Sequence, residues 1–143
     1  MTIKTGLMAA TLFMLAGCTA PSHTTPDTTP DTTCKAENQM QQTTLFFGLN
    51  RPAGAPITGQ EWQQFVDRDV TPRFRDGLTV FEARGQWLGN DGTIAREPSK
   101  ALMLIHAKDA ESEKSIDALR GIYKSRFAQE SVMRVDQPVC VQF

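Results

Sequence analysis

From Thr43 onward, the spacing of apolar residues along the chain predicts an ordered series of strands and helices. Where apolar and aromatic residues cluster or alternate over a short run, we predict a strand, because strand side chains point alternately to two faces. Where apolar residues recur every three or four positions, we predict a helix with one buried face. The predicted strands are residues 43–49, 77–88, 99–107 and 132–143.

Two helices are predicted between these strands, each after a residue typical of a helix N-cap. Thr58 and Glu61 have the spacing of a capping box, and Asp109 is an N-cap residue for the second helix. One face of each helix is apolar, and these residues are the predicted helical part of the core: Trp62, Phe65, Val66, Val70 and Phe74 in the first, and Ile116, Leu119, Ile122, Tyr123 and Phe127 in the second.

The predicted elements follow the order β-α-β-β-α-β within about 100 residues, which is typical of the ferredoxin-like, split β-α-β fold. In this α+β fold the antiparallel sheet has the strand order 4-1-3-2, and both helices cover the same face. We therefore predict a single ferredoxin-like domain over residues 34–143.

The predicted central strands, with the runs "LFFGL" and "ALMLI", are apolar on both faces. The edge strands instead have polar residues at alternate positions, among them Glu82, Arg84, Gln86, Arg134 and Asp136. A central pair that is apolar on both sides indicates cover on both sides. Two kinds of cover are open: the loop after strand one or the preceding tether, or a second subunit packed face to face in a homodimer, as in dimeric α/β-barrels.

The N-terminus has the pattern of a lipoprotein signal peptide. Lys4 precedes the uncharged apolar run 6–13, which is too short for a permanent membrane helix. The sequence "LAGC" then ends at Cys18, in the form of a bacterial lipobox. We predict a signal peptide over residues 1–17 and a lipid-modified Cys18 that anchors the chain to a membrane. Thr19, which is not acidic, favours the outer membrane, with the domain in the periplasm.

Residues 18–33 contain the repeat "TTPDTTPDTT" and have almost no apolar side chains to bury. We predict that this segment is a disordered, extended tether between the lipid and the domain. Without residues 1–17 the chain keeps 14 basic and 16 acidic residues. This balance excludes a basic nucleic-acid-binding protein on bulk charge.

Cys34 and Cys140 are the two cysteines that remain, and they lie at opposite ends of the predicted domain. In an oxidising periplasm we expect them to form a disulfide. Strand four lies beside strand one in the predicted sheet, which brings the two positions close together. In the chain-entropy model, closing a loop of about 100 residues stabilises the fold by roughly 4 to 5 kcal/mol.

Candidate residues for chemistry are few. His106 ends the third predicted strand and is the one histidine of the predicted domain, so it is the candidate acid or base. A hairpin turn at Asp91 and Gly92 would place Glu82 and Arg84 on one face, where they could pair with each other or with a polar ligand. The same turn would place Trp87 opposite Arg96. Glu82, Arg84 and Trp87 are therefore the candidate ligand-binding residues.

The sequence contains no phosphate-binding loop, dinucleotide fingerprint or nucleophile elbow. With two histidines and no CxxC pair, it predicts neither a metal site nor a cofactor.

The segments "LFFGL", "EWQQFVDRDVTPRF", "DGLTVFEARGQW" and "REPSKALMLI" together resemble a family of small bacterial proteins, many of them lipoproteins, that carry a domain of unknown function. Arg75 stands where members of that family often have proline. The resemblance implies an envelope location and a single domain, and it implies no activity, cofactor or catalytic residue.

Three functions remain open from the sequence, one of which is a purely structural subunit of an envelope complex. In the first, the protein is a membrane-anchored envelope lipoprotein whose domain binds a ligand or partner without catalysis. In the second, it is a small cofactor-free dimeric α/β-barrel enzyme that uses His106 as acid or base. No set of residues with recognisable catalytic spacing accompanies His106, which favours the first hypothesis.

Overall fold

The computed structural model of the chain describes residues 34–143. The predicted signal peptide, the lipid on Cys18 and the tether lie outside the described residues. Within residues 34–143, no helix has both the length and the apolar character needed to cross a bilayer.

Four strands and two helices make up the domain. They are β1 (Gln39–Gly48), α1 (Gly59–Phe65), β2 (Thr79–Leu88), β3 (Ile94–His106), α2 (Ala110–Phe127) and β4 (Met133–Cys140). All neighbouring strands are antiparallel, and the sheet order is β2-β3-β1-β4. This order confirms the predicted ferredoxin-like α+β fold.

Two strands begin earlier than the sequence pattern predicts. β1 begins at Gln39, and its polar first residues pair with β3 on one side and β4 on the other. β3 begins at Ile94, and residues 94–98 pair with β2 beyond the last β1–β3 pair, Gly48 with Ser99. The β2–β3 hairpin therefore projects past the four-stranded sheet as an arm, formed by residues 84–98. Backbone pairing, rather than side-chain hydrophobicity, sets both of these strand limits.

The predicted register of this hairpin is wrong by one residue. Five residues, 89–93, connect the strands, and the Gly89 amide donates to the Thr93 carbonyl at 2.8 Å. The Asp91 carboxylate accepts from the Thr93 amide at 2.9 Å, which stabilises this wider turn. The observed pairs are Glu82 with Lys100, Arg84 with Pro98 and Trp87 with Ala95.

Local hydrogen bonds define the helix ends. Thr58 and Glu61 form the predicted capping box at the start of α1, and the Asp109 side chain caps α2 by accepting from the Ser112 amide. After α1 the chain continues in one π turn, Val66–Val70, in which the Thr71 amide bonds the Val66 carbonyl. This turn keeps the apolar residues after Phe65 facing the sheet.

The core lies between the two helices and one face of the sheet. Phe47 of β1 is fully buried at its centre, with edge-on contacts to the rings of Trp62, Phe65 and Tyr123 at centroid distances of 4.5 to 5.5 Å. The Tyr123 hydroxyl donates to the Gly48 carbonyl at 2.9 Å, and burial raises the pKa of this phenol. The other fully buried side chains of the cluster come from both central strands, the π turn and α2: Leu45, Leu102, Leu104, Val70, Ile116 and Leu119.

Cys34 and Cys140, the predicted pair, are joined by a disulfide, with their Cα atoms 5.6 Å apart. The bond lies at the end of the sheet where β1 begins, and Gln39 pairs with Cys140 in the adjoining ladder. It therefore fixes the point at which the preceding chain enters the domain.

We predict that Phe47→Ala lowers the free energy of unfolding by about 3 to 5 kcal/mol, because a buried aromatic ring is lost from a packed site. Leu88→Ala is the control, since Leu88 is 69% exposed and surface substitutions usually change stability by less than about 0.5 kcal/mol. Denaturant unfolding of the oxidised domain measures both. Similar losses for the two variants would contradict the central position of Phe47.

Candidate functional site

The face of the sheet opposite the helices is open and largely apolar. Alternate residues of each strand point to this face, and many are large and exposed in the single chain: Phe81 is 49%, Met133 57% and Val135 48% exposed. Phe46, Met103 and Ile105 of the central strands are half-buried between them. We call this surface the open face.

The open face carries almost no charge. Its positions are Met40, Gln42, Thr44, Phe46 and Gly48 of β1, Thr79, Phe81, Ala83, Gly85 and Trp87 of β2, Ala95, Glu97, Ser99, Ala101, Met103 and Ile105 of β3, and Met133, Val135, Gln137 and Val139 of β4. Glu97 is the one ionisable residue among them. Charged side chains of the same strands, such as Lys100 and Arg134, lie on the helix side.

A groove of about 900 Å³ lies at the arm end of the open face. Phe46, Trp87 and Met133 line it as large apolar side chains, and Trp87 is 52% exposed. The backbone and small side chains of both central strands and β2 form the remainder of its sheet side: Gly48, Ala83, Gly85, Ala95 and Ser99. The lining is completed by the loop after β1, by residues 128–131 and by three charged residues of the arm: Arg84, Arg96 and Glu97.

Glu97 places a carboxylate directly over Gly48 in this groove. A Cβ atom at Gly48 would lie 2.6 Å from both carboxylate oxygens, so only glycine leaves this space free. Glu97 Oε1 accepts a hydrogen bond from the Asn50 amide at 2.9 Å. Among the described residues, Oε2 has no hydrogen-bond donor. The groove therefore contains one half-buried carboxylate with a free acceptor.

The loop that borders the groove is held by polar contacts. Arg51 donates to Glu61 at 2.6 Å and to the Ala55 carbonyl at 2.9 Å. The Thr58 backbone and the Arg51 guanidinium, both bonded to the Glu61 carboxylate, lower its pKa to about 2. The side-chain amide of Gln129 donates to the Asn50 backbone carbonyl at 2.7 Å, which connects the loop after β1 with residues 128–131. Arg51 is thus already paired and does not neutralise Glu97.

The three predicted ligand-binding residues do not converge. Trp87 lies on the open face, whereas Glu82 and Arg84 occupy alternate positions of β2 on the other face. Glu82 pairs with Lys100 across the strands and not with Arg84. Arg84 borders the open-face groove and, with Glu82, Gln86 and Arg96, a second groove of about 940 Å³ along the arm.

His106 lies at the opposite end of the sheet from the arm and is 5% exposed. Its Nδ1 is 2.8 Å from the Ala107 carbonyl, and its Nε2 is 2.8 Å from the Thr43 hydroxyl. A cavity of about 310 Å³ beside it contains neither Glu82 nor Arg84 in its lining. Both ring nitrogens are therefore engaged in hydrogen bonds within the domain.

Thr43 connects His106 to Asp136. Its hydroxyl, fully buried, donates to Asp136 Oδ1 at 2.6 Å. Because a hydroxyl has one proton, this oxygen accepts from the His106 Nε2–H. The two ring nitrogens of His106 thus contact the Ala107 carbonyl and the Thr43 hydroxyl, and that hydroxyl connects the ring to the Asp136 carboxylate.

The Asp136 carboxylate is held in its ionised form. Partial burial raises its pKa, but hydrogen bonds from Thr43 and Arg134 outweigh this effect and lower the pKa below its usual value. Arg134 also bonds Glu113 at 2.8 Å, which lowers the pKa of that carboxyl. The polar chain from His106 to Glu113 thus ties β1, β3 and β4 to α2.

Four residues of these sites are not predicted from the sequence: Gly48 and Glu97 in the groove, and Thr43 and Asp136 beside His106. A glycine inside an apolar strand is a signal of close approach by another group, and Gly48 has that signal. The partners of Thr43 are 63 and 93 positions away along the chain. The sequence alone does not show that Thr43 contacts His106 and Asp136, because these contacts depend on the register of the sheet.

Within residues 34–143, no group of three or more His, Cys, Asp and Glu side chains has a geometry that could hold a metal ion.

The chain belongs to a family described as "Protein of unknown function (DUF3574)", whose model matches residues 42–143. This confirms the predicted membership of a family with a domain of unknown function. No curated protein matches the chain.

Solved structures with a similar fold include a phage SAM lyase, in complex with S-methyl-5'-thioadenosine and in the apo state. The complex has a TM-score of 0.54 and 18% sequence identity, and the match covers 71% of this chain and 90% of the lyase. CutA from Synechococcus elongatus PCC7942 matches with a TM-score of 0.48 and 14% identity, over 72% of this chain and 79% of CutA. At these identities the likeness concerns the fold alone.

We predict that Thr43→Val lowers the free energy of unfolding by about 1 to 3 kcal/mol, because it leaves the buried His106 nitrogen and the Asp136 carboxylate without their shared partner. Thr44→Val is the matched control, since Thr44 is the next residue and lies on the open face. Thermal and denaturant unfolding measure both variants. Equal losses, or none for Thr43→Val, would contradict the structural role of this hydroxyl.

Proposed function

We propose that this member of the family is an envelope lipoprotein whose domain binds a second copy of itself through the open face, without catalysis. In this proposal the lipid on Cys18 anchors the chain to the outer membrane, and residues 19–33 are the tether that holds the domain in the periplasm. The signal-peptide pattern and the "LAGC" sequence support the anchor. The open face supports the interaction.

The observation that carries the proposal is the apolar character of a whole sheet face. Phe81, Met133 and Val135 are each about half exposed in the single chain. Contiguous exposed apolar patches of this kind mark interaction sites in soluble domains. A helix layer covers the opposite face, so the sheet has one side left to bury.

A second copy fits this surface because the surface has almost no charge. Two open faces that meet about a twofold axis place the same residues against each other. Facing charges would repel, but here only Glu97, at the arm end, is ionisable. Four strands spaced about 4.8 Å apart and paired over about eight residues give a face roughly 20 Å by 27 Å. The uneven surface of the side chains adds accessible area to this flat outline. The buried area per chain then approaches the roughly 800 Å² per partner of a standard interface.

The arrangement of His106 favours binding over catalysis. Its two ring nitrogens contact Thr43 and the Ala107 carbonyl, so a substrate would have to displace one of them to use it. The candidate ligand-binding residues Glu82, Arg84 and Trp87 lie toward the other end of the sheet. The alternative of a cofactor-free barrel enzyme with His106 as acid or base therefore has no observation in its favour.

The anchor is tested by metabolic labelling with palmitate, followed by separation of the two membranes. We expect the full chain to carry label and to fractionate with the outer membrane. Cys18→Ser should abolish labelling, whereas Cys34→Ser, the control, should keep it. An unlabelled parent protein, or label that survives Cys18→Ser, would overturn the lipoprotein part of the proposal.

Self-association is tested by sedimentation of the 34–143 domain. We expect the parent domain to have twice the mass of one chain, and Val135→Asp to sediment as one chain, because the charge would be buried against the partner. Leu88→Asp is the matched control: it adds the same charge to an exposed leucine on the other face of the arm. A monomeric parent, or equal dissociation of both variants, would refute the dimer.

A further inference from the structure

The groove at the arm end of the open face has features that the proposed self-association does not use. Its single ionisable group on that face, Glu97, is half-buried beside apolar side chains rather than exposed to bulk water. Partial burial of a carboxylate is unfavourable unless a donor or cation compensates it. One oxygen has the Asn50 amide as its donor, and the other has none among the described residues.

The residues around Glu97 are arranged to leave that oxygen accessible. Gly48 and Gly85 lie on the strands that flank it, Gly48 beneath its carboxylate and Gly85 as its cross-strand partner. Side chains at either position would fill the space above the sheet. At Gly85 the nearest atoms to an added Cβ would be the Ser99 hydroxyl at 3.5 Å and the Trp87 ring at 3.8 Å. The carboxylate, the hydroxyl and the indole thus share one depression.

The nearby cations do not satisfy Glu97. Arg51 bonds Glu61 and the Ala55 carbonyl. Arg84 and Arg96 also line the groove, but they occupy positions on the other face of the arm, and among the described residues neither forms an ion pair with Glu97. Glu130, in the loop that lines the groove, adds a second negative charge. Five charged residues therefore line the groove: Arg51, Arg84, Arg96, Glu97 and Glu130. Among them, Glu97 is the one whose carboxylate lies over Gly48 on the open face.

We infer that this groove is a binding site for a small organic cation, in which an ammonium group donates to the free oxygen of Glu97 and an apolar body lies against Phe46 and Trp87. Charge-assisted hydrogen bonds are stronger than neutral ones, and an indole face attracts a cation within about 6 Å. The volume of about 900 Å³ is in the range of small-molecule sites. The groove is formed by one chain, but Phe46 and Met133 belong both to it and to the open face, so a bound cation and a second copy would compete for this surface.

The probe for the test is 2-phenylethylammonium, which combines an ammonium group with an aromatic body. Two analogues of similar shape separate the contributions: 2-phenylethanol lacks the charge, and phenylacetate reverses it. Calorimetry on the oxidised 34–143 domain gives the affinity. Intrinsic fluorescence reports the location, because of the two tryptophans Trp62 is 4% exposed in the core and Trp87 is 52% exposed in the groove.

We expect the ammonium probe to bind and to change the Trp87 emission, with the alcohol at least tenfold weaker and the acid weaker still. Glu97→Gln should weaken the ammonium probe at least tenfold. Gly48→Ala should also weaken it, because the new methyl group displaces the carboxylate. Glu82→Gln is the matched control, since it removes a carboxylate from the other face of the same hairpin, and it should leave the affinity unchanged.

Three results would overturn the inference: no binding of the ammonium probe at millimolar concentration, equal affinity for Glu97→Gln, or equal affinity for phenylacetate. The same titration on the Val135→Asp domain separates this site from self-association. Binding retained by that variant is expected for a groove complete within one chain. Loss of binding in that variant would be a fourth result against the inference, because the site would then need the second copy.

Discussion

The structure depends on one constraint: an antiparallel sheet with apolar central strands is covered by helices on one side only. Phe47 and Phe46 are consecutive residues of the same strand, and they show both consequences. Phe47 is buried among Trp62, Phe65 and Tyr123, whereas Phe46 points to the open face. The helix side supplies the packing energy of the fold, and the other side is left as an apolar surface in water.

The two ends of the sheet have different roles. At the end where β1 begins, the Cys34–Cys140 disulfide and the buried contacts of Thr43 with His106 and Asp136 fix the strands to each other. At the arm end, Gly48 and Gly85 leave space between the large side chains of Phe46, Trp87 and Met133, and among the described residues Glu97 keeps one free acceptor. The buried polar contacts of Thr43 and the free acceptor of Glu97 thus lie at opposite ends of the sheet. His106, the candidate acid or base from the sequence, therefore lies at the end of the sheet where buried polar contacts hold the strands together.

The order of elements, the strand order and the helix-side core were predictable from periodicity and capping residues. Thr58, Glu61 and Asp109 act through neighbours in sequence, so local patterns identified them. The register of the β2–β3 hairpin was not predictable, because the contacts of Asp91 and Gly89 with Thr93 widen the turn by one residue. Because of that shift, Trp87 pairs with Ala95 and not with Arg96. The groove around Glu97 and the contacts of Thr43 depend on register, so they become visible only in the folded domain.

The central claim is that the open face is buried against a second copy while the helices cover the other face. Oxidative footprinting of Met133 tests it most directly, because this side chain is 57% exposed in the single chain and lies on the open face. At concentrations where the domain self-associates, we expect Met133 to oxidise slowly, and its oxidation rate should rise to that of an exposed methionine on dilution or in the Val135→Asp domain. Rapid oxidation of Met133 at every concentration would contradict it.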